Sequence, residues 1–145
     1  MLNLKNILCT AIGIVGTAVS QLFGGWSAAL TTLIIFMGID YISGVIVAGV
    51  FHKSTKTKTG GLNSLIGWKG LFKKGLTLAI VLVAHRLDLL IGTNYIRDAV
   101  IIAFCANELI SIIENAGLIG IPIPTVITKA IEVLKERGGG NEGNR

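Results

Sequence analysis

The chain has 145 residues, 52% hydrophobic and 14% charged, with a net charge of +5 and a mean hydropathy of +0.74. Soluble proteins carry about 25% charged residues, and a domain this small cannot bury so much apolar surface. An ordinary soluble domain is excluded and an integral membrane protein is predicted; most of the lysines sit in one loop, which argues for a membrane topology signal and against a nucleic-acid surface.

The first predicted spanning helix covers about residues 7–23, after Lys5. Thr10, Gly13, Thr17, Ser20 and Gln21 recur at helical spacing and read as a small, weakly polar packing stripe. Lys5, the apolar run and Ala18-Val19-Ser20 also imitate the three regions of a cleaved signal peptide, which is the alternative. Either way the remaining helices keep their orientation.

A second helix is predicted over about 27–51, roughly 37 Å at 1.5 Å per residue and ample for a membrane core. Asp40 falls near its centre, on a face shared with Ser43, Gly44 and Val47, where a close neighbour would shelter the carboxylate. From His52 to Lys74 a loop carries Lys53, Lys56, Lys58, Lys69, Lys73 and Lys74 and no acidic residue. The positive-inside rule places it in the cytoplasm. Its second half, Leu62 to Phe72, is suited to lie on the anionic inner leaflet as a short amphipathic element. The stretch GGLNSLIGWKG lacks phosphate-loop spacing and follows no strand.

The third helix, about 75–91, and the fourth, about 95–119, are joined by a turn at Gly92-Thr93-Asn94. An interfacial third helix is the alternative to a spanning one. Folding the chain at this turn sets Arg86 level with Asp98 and Asp88 level with Arg97, which predicts two ion pairs across one hairpin. On the fourth helix a projection at 100° per residue puts Arg97, Glu108, Ser111 and Asn115 on one strip, with Asp98 beside it. Ile102, Ala106, Leu109, Ile110 and Ile113 gather opposite as a predicted lipid face, and Glu114 adds a further intramembrane charge. Pro122 and Pro124 end the helix. Residues 125–137 make an amphipathic helix, and 138–145 read as a flexible glycine-rich tail.

The fold class is therefore all-α: one membrane domain over 1–137 with four transmembrane helices, as two hairpins joined by a basic cytoplasmic loop, and a C-terminal amphipathic helix. Both termini are expected in the cytoplasm. No nucleophile stands near a base, Cys9 and Cys105 read as packing residues, and His52 and His85 are isolated. The reading is a non-enzyme without cofactor or metal. Asp40 and Glu108 lie near the midpoints of their helices, while the basic residues lie near helix ends, so the two carboxylates lack an obvious cation. With Ser111, Glu114 and Asn115 they serve either to pack helices or to line water.

Taken together, Asp40-Tyr41-Ile42-Ser43-Gly44, Ser64-Leu65-Ile66-Gly67 leading into Lys69 and Lys73-Lys74, Arg97-Asp98, Asn107-Glu108, Ser111 to Asn115 and Pro122-Ile123-Pro124 resemble the phage lysis and toxin-secretion holins of clostridia and other Gram-positive bacteria. The likeness runs from about Leu33 to Leu134. It implies a small protein that accumulates in the host cytoplasmic membrane, associates with itself and opens lesions at a set time. An endolysin, or a large toxin, then leaves through them. It also implies membrane lipids and an antiholin as partners, no nucleic acid, and no catalytic residue. The alternatives are a small ion or proton channel built on the same carboxylates, and an antiholin-type membrane scaffold.

Overall fold

A computed structural model describes residues 3–139, and these fold into five helices with no strand. They are α1 (Leu4–Leu22), α2 (Ala28–Gly49), α3 (Ser64–Ile91), α4 (Ile96–Leu118) and α5 (Thr125–Gly138). Two of them, α1 and α2, are long and apolar enough to cross a membrane. The expected tail from Gly140 onward lies outside the described residues.

Local chemistry sets the helix ends. Ser27 caps α2, its hydroxyl oxygen accepting from the Leu30 amide at 3.1 Å. Asn63 Oδ1 accepts from the Leu65 and Ile66 amides, at 3.0 and 3.3 Å, and so starts α3 eleven residues before the expected start at residue 75. Both caps satisfy donors that a helix start otherwise leaves unpaired. Gly92, in the left-handed region at φ 80°, closes α3.

The early start of α3 corrects the basic loop. Lys69, Lys73 and Lys74 belong to a 28-residue helix, and only Lys53, Lys56 and Lys58 remain in the loop proper. Lys69 and Lys73 are exposed, whereas Lys74 turns inward.

α4 is the central element, packed against α2, α3 and α5. The core joins Leu30, Leu33 and Met37 of α2 to Val81 of α3 and Ile101 and Cys105 of α4. α2 and α4 run in the same direction, since the turn before α2 meets the start of α4 and Asp40 meets Asn115 lower down. α3 runs opposite to both. The predicted lipid face of α4 is also corrected: Ala106 is buried, and Ile102, Leu109, Ile110 and Ile113 are half-buried under neighbouring helices. Apolar side chains face outward on the other helices instead, among them Ile12 and Val15 of α1, Ile35 and Ile42 of α2, and Leu76 and Val83 of α3. α1 has no buried residue.

Candidate functional site

In lipid, helices gain little from hiding apolar surface, so close packing and interhelical polar contacts carry the association. One polar cluster dominates the interface of α2, α3 and α4. The Lys74 ammonium donates to Asp40 Oδ2 at 2.8 Å and also to Glu108 Oε2. Its side chain is 14% exposed and those of the two carboxylates 10% and 15%. Asp40 stands twelve residues after Ala28 and Glu108 twelve after Ile96, and the parallel course of the two helices brings both acids within reach of one ammonium.

The cation that the sequence did not offer is therefore Lys74. Its placement inside α3 rather than in a loop lets a flexible four-carbon stem carry the charge to both acids. Asn115 completes the cluster: its amide donates to Ser43 Oγ at 2.8 Å, Asp40 Oδ1 at 3.3 Å and the Asp40 carbonyl at 3.4 Å. Ser43 donates back to that carbonyl at 3.0 Å, and Ser111 stands beside the Asp40 carboxylate. Gly44 leaves room for Asn115, whose amide nitrogen would lie 3.7 Å from a Cβ added there. Glu114 points away from the cluster and is exposed.

With both acids ionised the triad carries one surplus negative charge. It adjoins a cavity of about 100 Å³ bounded by Gly44, Gly67, Gly70 and the Ser54–Thr57 segment of the basic loop. That volume is enough for water, and Asp40, Lys74 and Asn115 supply the polar partners that water needs. The arrangement fastens three helices together and lets loop-side water reach the fastening.

The second polar cluster lies at the hairpin tips and differs from the expected pairing. Asp88 is buried and caps α4: Oδ1 accepts from the Thr93 hydroxyl at 2.6 Å and the Ile96 amide at 3.0 Å, and Oδ2 from the Arg97 amide at 2.8 Å. Asp88 thus meets Arg97 through its backbone, because the carboxylate lies under the unpaired donors of the α4 first turn, where the helix dipole also favours it. The Arg97 guanidinium turns the other way. It pairs with Asp98 Oδ1 at 2.9 to 3.0 Å and donates to the carbonyls of Phe23 and Gly24 at 2.8 and 2.9 Å. These carbonyls lie at the C-terminal end of α1, whose dipole attracts a cation. Arg86 is exposed and, among the described residues, joins no ion pair, so the Arg86–Asp98 pair is replaced by Arg97–Asp98.

An all-helical bundle with membrane-length helices, an apolar exterior and a charge cluster shut between its helices defines a small integral membrane protein. The bacteriophage holin family model matches residues 17–136, and the chain belongs to that family. An uncharacterised protein of Clostridium perfringens is 38% identical over 139 residues, covering 94% of this chain and 99% of the relative. One from Listeria innocua is 39% identical over 134 residues, with 90% of each chain covered. A protein of Bacillus phage phi105 described as a probable holin is 34% identical over 107 residues, 73% of each chain. No solved structure matches. Family membership points to a non-enzymatic role in a membrane.

Proposed function

We propose that this protein is a holin of the cytoplasmic membrane that self-associates and, after a delay, opens lesions through which an endolysin or a large toxin leaves the cell. The observation that carries the reading is the family match over residues 17–136, which takes in both polar clusters. On this reading residues 1–137 act as one membrane unit, with α3 and α4 crossing beside α1 and α2. Lys53, Lys56 and Lys58 keep their loop in the cytoplasm with the N-terminus and the start of α5, and Lys69 and Lys73 extend the basic surface onto the inner leaflet.

Within the unit, Asp40, Lys74, Glu108, Ser111 and Asn115 are the helix fastening, while Asp88, Arg97 and Asp98 join the two hairpin tips. Polar groups satisfied inside the monomer suit a protein that must accumulate harmlessly before it acts. An antiholin would act by holding back self-association. The test is expression in a bacterium that also makes a cytoplasmic endolysin. Lysis should require both proteins, and this chain alone should kill cells without dissolving the wall. Ordinary growth with both proteins present would refute the reading.

A further inference from the structure

The sequence offers Asp40, Glu108, Ser111 and Asn115 as water-lining groups, yet the structure turns them toward one another between α2, α3 and α4. A lesion needs some other polar wall. α5 supplies one, because it runs back along α4 instead of leaving it. A Cβ on Gly138 would stand 2.8 Å from the Ala103 Cα, so the end of α5 touches the backbone of α4 seven residues, roughly 10 Å, from its start at Ile96. α4 runs beside α2, which has the length and hydropathy of a membrane span. α5 therefore shares the depth of α2.

Ile131 is buried, and with half-buried Leu134 and Gly138 and the more exposed Ile127 it forms the i, i+4, i+7, i+11 stripe on the side of the Ala103 contact, while Val126 and Val133 flank it as exposed apolar residues. Thr125, Thr128, Lys129, Glu132, Lys135 and Glu136 occupy the opposite arc at 100° per residue, and all are exposed. Among the described residues none of these four charges joins an ion pair. Charges turned toward hydrocarbon at this depth are costly, and the cost disappears where the face meets water.

We propose that the outward face of α5, with Lys129, Glu132, Lys135 and Glu136, is the water-facing wall of the assembled lesion, while its apolar stripe stays docked on α4. The inference rests on the holin reading and adds the surface that hydrated solutes meet. A self-associating bundle that joins through other helices would bring several copies of this face around one aqueous space.

The test uses the full chain, with Cys9→Ser and Cys105→Ala, reconstituted in vesicles at lesion-forming density. Nitroxides are placed singly at Ile131→Cys, Glu132→Cys, Leu134→Cys and Glu136→Cys, and as a pair at Asn107→Cys with Glu132→Cys. A water-soluble relaxation agent should reach positions 132 and 136 several-fold better than 131 and 134, with dipolar broadening in the pair showing that α5 remains on α4. Preferential relaxation of 132 and 136 by oxygen would make the face lipid-exposed and overturn the proposal. Loss of broadening on assembly would overturn it too, by showing that α5 leaves for the membrane surface. Protein release by the same variants is scored separately: release with either overturning result leaves the holin reading standing, whereas no release removes that reading and this inference with it.

Discussion

Lys74 and Asp40 meet at 2.8 Å although 34 residues separate them, and the same ammonium reaches Glu108, 34 residues further along the chain. One lysine on α3 thus pairs with acids on two different helices. Removing it leaves two carboxylates facing each other in a place where charge is poorly solvated, a change that costs about 3–5 kcal/mol for a buried pair.

Lys74→Gln should therefore accumulate poorly and unfold early in detergent. Asp40→Asn or Glu108→Gln should be milder, since each leaves one acid for the ammonium and keeps side-chain size and hydrogen bonding. Combining Lys74→Gln with both neutral substitutions should recover most of the lost stability. Thermal unfolding in detergent reads the coupling, and additive losses across the set would show that the three groups act independently.

At the hairpin tip, Asp88→Ala removes three hydrogen bonds at the α4 start. A loss of about 0.5–2 kcal/mol is predicted from the worth of a helix cap. Arg86→Gln, at an exposed residue without an ion pair, should stay within about 0.5 kcal/mol of the parent. Equal losses in the two variants, measured by the same unfolding assay, would contradict the capping role.

Arg97→Gln should release the Phe23–Gly25 turn from the α3–α4 hairpin. Faster hydrogen exchange at Gly24 and Gly25 is the predicted signature. Arg97→Lys should not rescue it, because a single ammonium lacks the planar fork that serves Asp98 and two carbonyls together. Unchanged exchange in Arg97→Gln would mean that the turn is held by other contacts.

Gly138→Leu tests how α5 is seated. The side chain would press into the Ala103 backbone, and overpacking of this kind costs about 1–3 kcal/mol. Labelling at Ile131→Cys, slow in the parent, should speed up when α5 lifts. Slow labelling in both would show that α5 is held by contacts other than this close approach.

The sequence made the helix count legible because apolar runs bounded by Gly24-Gly25, Gly92 and the two prolines leave few other choices. Observed and expected ends for α2, α4 and α5 agree within a few residues. The beginning of α3 was hidden because lysines read as loop residues, although Asn63 is a good cap and a long helix can carry Lys69 and Lys73 on an exposed side. The candidate site was half legible. Asp40, Glu108 and Asn115 stand out as polar residues in apolar runs, but their partner depends on the register of three helices, which one chain's periodicity does not encode. At the hairpin tip the level of Asp88 with Arg97 was readable. That the carboxylate would choose backbone amides over the guanidinium was not, because the choice depends on where the α1 end presents its carbonyls.

The central claim is that this chain opens the membrane to folded protein, and one culture tests it most directly. The chain is induced alone while a potential-sensitive dye and the release of a cytoplasmic reporter enzyme are followed together. The account predicts a period of normal potential, then an abrupt collapse accompanied by enzyme release. A gradual loss of potential that never releases the enzyme would contradict it and identify an ion channel instead.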